Sequence, residues 1–312
     1  MEPTSNVQIY PLAKTHPGMK RKNNEDRFSI STYHLDKNNE TPSIFVIVAD
    51  GVGGNMAGEV AAEIAVNTIT SIITNSDTRK PISILENAIV QASTEIYNQS
   101  IANPTQTNMG STCVCAWVVS NRLYIANVGD SRIYLIRRDG NHQLTIDHSW
   151  IQDAIKEGIL SPSQAIDHPR AHLINRYLGS KQQVVPDFRL CLKQTQSDEQ
   201  MIANQGLKLK PKDIILLCTD GLTDVVKDEE IFSIVTTRER EQAIDDLIVL
   251  ANERGGPDNI TIALLENQKI KQKSKQKKNL WIFAWLTCLL VIIAFMLIVI
   301  ISAGVLWYKS QA

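Results

Sequence analysis

The chain has 312 residues, 43% hydrophobic and 21% charged, a length for one or two domains and a composition that excludes a disordered chain. Its net charge of -1 conceals a split, because seven lysines and no acidic residue follow position 268, leaving an acidic body and a basic tail. An acidic body excludes a nucleic-acid surface, which needs a basic patch to neutralise phosphates.

Met1 to Gly18 is polar and contains proline, without the apolar stretch of a signal peptide. Residues 27–33 and 43–49 read as strands, and the second, SIFVIVA, is a β-branched apolar run of the kind buried on both faces. Ala57–Ile73 and Pro81–Ile101 carry apolar residues three and four apart and predict helices, with Pro81 suited to a helix start. Strands are expected over Ser111–Val119, Arg122–Val128 and Arg132–Arg137, with hairpin turns at Ser120-Asn121 and Asp139-Gly140. Ser149–Glu157 and Ser161–Ala165 read as helices separated by Gly158, and residues 168–183 carry no clear period. Further on, Val184–Leu192 and Asp213–Cys218 read as strands, Asp228–Val235 and Arg238–Glu253 as helices, and Ile260–Leu265 as a closing strand. Strands and helices come in blocks, which favours an α+β fold with mostly antiparallel sheets. The five cysteines include no C-x-x-C pair and are odd in number, as expected of buried thiols in a reducing compartment.

Leu280 to Tyr308 is apolar and free of charge, with Trp281 and Trp285 near one end and Trp307 and Tyr308 at the other. About 20 such residues suffice to span a bilayer, and ring side chains favour its boundaries. Six lysines between 269 and 278 precede the run and Lys309 follows it. Positive charge stays on the cytoplasmic side, so the expectation is a single-pass protein of the cell membrane with its body in the cytoplasm.

Three apolar strands end in an aspartate followed by a small residue: Asp50 in FVIVAD-G, Asp130 in LYIANVGD-S and Asp220 in IILLCTD-G. Asp258 stands just before the last strand in GGPDN, and Asn24-Glu25-Asp26 leads into the first. One such aspartate is an ordinary turn residue. Several converging would repel one another, and such a cluster is tenable mainly with cations bound. Oxygen donors without a Cys/His set suit magnesium or manganese.

These residues carry a resemblance. The chain resembles the metal-dependent protein phosphatases of the PP2C type, especially bacterial members, through Gly18-x-x-Arg21-x-x-Asn24-Glu25-Asp26-x-Phe28, Ala49–Gly54 and Gly110–Thr112. The series continues in family order with Asn127–Arg132, Asp147–Ser149, Thr219–Asp224 and Gly255–Thr261, covering about residues 15–266. The resemblance implies a central antiparallel β-sandwich flanked by helix pairs, four layers αββα, with the metals at one edge between the sheets; the expected fold adds one transmembrane helix. It implies that Asp50 bridges two Mn2+ or Mg2+ ions, that the Gly51 carbonyl binds the first, and that Asp220 and Asp258 bind the second. Asp130 would help hold a third, weaker ion, Glu25 and Asp26 would ligate or orient metal-bound water, and Arg21 would grip the substrate phosphate.

The chemistry agrees. Two metals make a nucleophile of water near neutral pH, so attack on the phosphorus needs no phosphoenzyme. Arginine donates two parallel hydrogen bonds to phosphate oxygens, which lysine does not. One departure concerns the general acid: many eukaryotic relatives have D-G-H-G-G where this chain has Val52. A metal-bound water remains a candidate for that role, and His148 reads as structural. Residues 149–181 match the family's flap, where substrate choice is tuned.

The expected organisation is a phosphatase domain over 1–268, a basic juxtamembrane linker over 269–279, a transmembrane helix over 280–308 and a short tail over 309–312. The expected function is hydrolysis of phosphoserine and phosphothreonine in cytoplasmic proteins by a monomeric catalytic domain, reversing a serine/threonine kinase in signalling. Two alternatives stay open: an inactive membrane-tethered module that binds phosphoproteins, and a phosphatase for small esters. No cysteine has the C-x5-R spacing of a thiolate phosphatase, and neither D-x-D-x-T/V nor a P-loop is present.

Overall fold

Every residue from Ser43 to Ala49 is buried, and the alternation of their side chains sets the architecture. Ile44, Val46 and Val48 join one apolar cluster, while Phe45, Ile47 and Ala49 join another on the opposite face. A strand sandwiched in this way has no solvent face, which is why its sequence runs apolar rather than alternating.

The structure, a computed structural model, describes the chain except residues 1, 4–8, 37–38, 54–56, 166–167, 171, 269–275 and 311–312. In chain order its elements begin with β1 (Glu2–Pro3), β2 (Ile9–His16), β3 (Arg27–Asp36), β4 (Asn39–Ala49), β5 (Gly51–Val52), α1 (Ala57–Thr74) and α2 (Pro81–Ala102). They continue with β6 (Gly110–Ser111), β7 (Cys113–Val119), β8 (Arg122–Val128), β9 (Arg132–Arg137), β10 (Gly140–Gln143), α3 (Trp150–Lys156), α4 (Pro162–Ala165) and α5 (Asp198–Ala203). The last are β11 (Leu207–Lys208), β12 (Ile214–Cys218), α6 (Asp220–Thr223), α7 (Asp228–Thr237), α8 (Arg240–Glu253), β13 (Ile260–Asn267) and α9 (Gln276–Ser310).

One sheet has the order β1-β3-β4-β7-β8-β11 and the other β10-β9-β12-β13-β2, and β5 pairs with β6 beside them. The pairings are antiparallel. Between the two large sheets, Ile44, Val46 and Val48 pack with Ile133, Leu135, Ile215 and Leu217. On the outer face of the first sheet, Phe45, Ile47, Cys113, Cys115 and Trp117 pack with Ile69 of α1 and Ile89 of α2. On the outer face of the second, Tyr134, Leu216, Cys218 and Ile262 pack with Ile231 of α7 and Leu247 of α8. The body is therefore a four-layer αββα sandwich of the expected kind.

Local chemistry sets the boundaries. Pro81 opens α2 at its first turn, and the Ser149 side chain caps α3 by accepting from the Gln152 N–H. Ser120 and Asn121 both take positive φ, 52° and 64°, as a two-residue hairpin turn requires. The second hairpin departs from expectation by one residue: Gly140 pairs with Arg137, so the turn residues are Arg138 and Asp139.

Val184–Leu192 is not a strand; its one ladder contact is the bridge between Asp187 and Asn127. The Gln205 side chain stands where a continued ladder would run, accepting from the Ile125 N–H and donating to the carbonyls of Ile125 and Phe188. The N-terminal segment conversely contains a strand that its polar composition concealed. β2 lies at a sheet edge, the position in which Pro11 is tolerated.

The chain divides into two compact units, 1–269 and 270–312. The expected membrane anchor, and with it the cell-membrane localisation, is corrected here: among the described residues no helix is long and apolar enough to cross a membrane. α9 is helical over Gln276–Ser310, and its described side chains, Trp285 and those of 289–305, are exposed. The basic linker expected over 269–279 falls largely outside the described residues.

Candidate metal centre

Strand register brings the dispersed carboxylates to one end of the sandwich. Cys218 at the end of β12 lies opposite Arg132 at the start of β9 and Ile262 near the start of β13. Val48 lies opposite Val114, and Cys113 opposite Val128, so the ends of β4 and β8 fall at the start of β7. Arg27 pairs with Ala49, and His16 with Ile260. The segments carrying Arg21, Glu25, Asp50, Asp130, Asp220 and Asp258 therefore share one edge.

There they line a single cavity of about 550 Å³, together with Gly51. An added Cβ on Gly58 would lie 2.4 Å from Glu25 Oε2 and 2.6 Å from the Gly51 carbonyl oxygen, so these two oxygens lie near the same point. Arg21 Nη2 donates to Asp258 Oδ2 at 2.5 Å, and that bond chiefly raises the arginine pKa. Asn259 ties the Arg21 loop to β13, its Nδ2 donating to the carbonyls of Pro17 and Asn23 and its Oδ1 accepting from the Glu25 N–H.

Asp26 does not line the cavity. It is 1% exposed, and its Oδ2 accepts from Thr219 Oγ1 at 3.0 Å and Thr261 Oγ1 at 2.7 Å. Burial pushes its carboxyl up to about 7, with Asp220 and Asp258 adding to the shift and the two threonine hydroxyls opposing it. Asp50 is raised well above the usual range by burial and then by Asp26, Asp220, Asp130 and Asp258. Asp130 is pushed up to about 8 by burial and then by Asp220 and Asp147. Asp220 is raised by burial and then by Asp258, and Glu25 mainly by burial.

Crowded carboxylates in this state are short of positive charge. Asp26 Oδ1 and Asp220 Oδ1 are buried without a hydrogen-bond partner. An all-oxygen donor set, mutual repulsion and unpartnered buried oxygens fit a hard divalent cation. The residues present therefore suit Mn2+ or Mg2+.

Sequence reasoning missed several residues here. Thr112 lines the cavity, its Oγ1 accepts from the Asp50 N–H at 3.1 Å, and its N–H donates to the Asp50 carbonyl at 2.8 Å. His172 and Ile174, from the expected flap, also line it, and His172 Nδ1 lies 3.1 Å from Asp224 Oδ2. Ligand atoms of His172, Asp220 and Asp224 lie within 4.8 Å of one another. No local pattern marks His172; only tertiary folding brings it to the site. Val52 is 40% exposed on the cavity wall and carries no proton to donate. His148 is buried away from the cavity lining.

The profile of the family described as protein phosphatase 2C matches residues 15–153. The serine/threonine phosphatase stp of Listeria innocua is 33% identical over 270 residues, covering 84% of this chain and 97% of that protein. The serine/threonine phosphatase Stp1 of Staphylococcus aureus superposes with a TM-score of 0.71 at 30% identity, over 85% of this chain and 97% of that one. The catalytic domain of the serine/threonine protein phosphatase PstP in complex with two manganese ions gives a TM-score of 0.66 at 28% identity, over 83% of this chain and 97% of that one.

Proposed function

This chain belongs to the protein phosphatase 2C family and is a metal-dependent serine/threonine protein phosphatase using Mn2+ or Mg2+, and on that premise we propose how its residues divide the work. Asp50, the Gly51 carbonyl, Asp220 and Asp258 hold two core ions, and Asp130 holds a weaker third. Bound there, the metals supply an activated water and neutralise charge on the phosphoryl group. Arg21 uses one donor on Asp258, which leaves guanidinium N–H groups to take phosphate oxygens in parallel pairs. Glu25 on the cavity lining and the buried Asp26 would ligate or orient metal-bound water. Val52 leaves the leaving oxygen without a side-chain proton at that wall. The substrates are phosphoserine and phosphothreonine proteins made by a serine/threonine kinase.

The observation that carries this reading is the convergence of the four aspartates, Glu25 and Arg21 on one cavity. Asp50→Ala and Asp220→Ala are each expected to lose manganese binding by calorimetry and to lower kcat by at least about 10³-fold on a phosphothreonine peptide. Full activity in either variant overturns the assignment. Preference of the wild-type chain for a free nucleotide over the peptide overturns the substrate class.

A further inference from the structure

His148 holds both backbone groups of a single glycine next to a proposed metal ligand. Its Nδ1 accepts from the Gly129 N–H at 3.1 Å, and its own N–H donates to the Gly129 carbonyl at 2.9 Å. Because a backbone N–H can only donate, Nδ1 presents a lone pair and Nε2 carries the proton directed at Asp187 Oδ2, 3.2 Å away. Asp187 is itself fixed: Arg189 Nε reaches Oδ1 at 3.0 Å and Oδ2 at 2.9 Å, and the Asp187 backbone bonds Asn127 of β8 in both directions at 3.0 Å. Both His148 and Asp187 are more than nine-tenths buried, at 6% and 7% exposure.

Gly129 has no freedom on its other side. Its φ is +107°, and an added Cβ would lie 2.6 Å from Thr112 Cβ and Cγ2. Thr112 is the residue whose hydroxyl and N–H hold the Asp50 backbone. The turn carrying Asp130 is thus pinned between a histidine on one side and the support of Asp50 on the other. Groups that orient a ligand in this way tune metal affinity without touching the ion.

We infer that His148 and Asp187 are positioning residues that preset the Gly129-Asp130 turn for the weakest-bound cation of the site. The inference rests on the reading of Asp130 as a ligand of that ion. Burial alone would raise the Asp187 carboxyl, yet hydrogen bonds from His148 and Arg189 hold it below the usual carboxylate range, so the relay keeps a charged acceptor. A shift of Gly129 would move the Asp130 carboxylate directly and would reach Asp50 only through Thr112, while Asp220 and Asp258 stand on other elements. The weak site should therefore respond more than the two core sites.

The test titrates the full chain, stripped of metal, with manganese chloride and follows free Mn2+ by electron paramagnetic resonance. His148→Gln keeps an amide near the Nε2 position and loses the acceptor for Gly129; His148→Asn does the reverse. His148→Gln and Asp187→Asn are expected to weaken the weaker class of sites about tenfold and leave the tight class within about twofold, while His148→Asn, which keeps the acceptor for Gly129 but loses the bond to Asp187, is expected to fall between wild type and His148→Gln. A folding defect would move both classes together and would not distinguish Asn from Gln. If His148→Gln does not fold, Asp187→Asn carries the test. An unchanged weaker class in both variants, with that class abolished in Asp130→Ala, overturns the positioning role and leaves Asp130 a ligand. A weaker class that survives Asp130→Ala overturns the reading of Asp130 and this inference with it.

Discussion

At Asp26 a carboxylate is sealed under the metal centre with two hydroxyls on one oxygen and no partner for the other. Its pKa in the folded chain, about 7, lies above the ordinary 3.8, so between those values the native state holds a proton that the unfolded chain has released. That contribution to stability is complete below about pH 4 and is lost as pH rises through 7. Metal-stripped protein should therefore show a Tm that falls by several degrees from pH 5 to pH 8. The fall should be smaller in Asp26→Asn and reversed by manganese, which takes the place of the missing positive charge; a Tm independent of pH in chelator would refute this. Asp50, Asp130 and Asp220 were legible because each closes or follows an apolar run and precedes a small residue. Thr112 and His172 were not, since a threonine in a Gly-Ser-Thr step and a histidine in an aperiodic loop gain their meaning only from contacts distant in sequence.

Among the elements, those buried on both faces were the easiest to read. β4, β7 and β12 owe their apolar runs to helices on one side and the opposing sheet on the other. The segment from Val184 to Leu192 has a strand's composition, yet Gln205 occupies its ladder. Replacing Gln205 with alanine leaves the Ile125 N–H and carbonyl without these partners. Unsatisfied buried groups cost about 1–3 kcal/mol each, so Gln205→Ala should lose about 3 kcal/mol in denaturant unfolding. A loss below about 0.5 kcal/mol would show that water replaces the amide without penalty. β2 was missed for the opposite reason: an edge strand with one proline and mixed polarity satisfies no simple period, and its pairing with β13 is decided by the rest of the sheet.

For the whole molecule, every residue assigned to the site lies within the 1–269 unit, which carries its own apolar clusters. A chain ending at Lys269 should retain manganese-dependent turnover within about twofold of the full chain, since a unit with a complete core folds on its own. Loss of activity on truncation would show that the 270–312 unit contributes to the site. The membrane-spanning assignment read from charge and hydropathy does not stand, since no helix among the described residues is long and apolar enough to cross a membrane.

The placement of sulfur has a consequence of its own. Cys113, Cys115 and Cys218 are sealed within the sheets, and burial raises the thiols of Cys115, Cys191 and Cys218 above their ordinary value. Peroxide and alkylating reagents attack thiolates, and a cavity lined by no cysteine offers none. Dephosphorylation by this protein should persist under an oxidative burst that silences phosphatases built around a reactive sulfur.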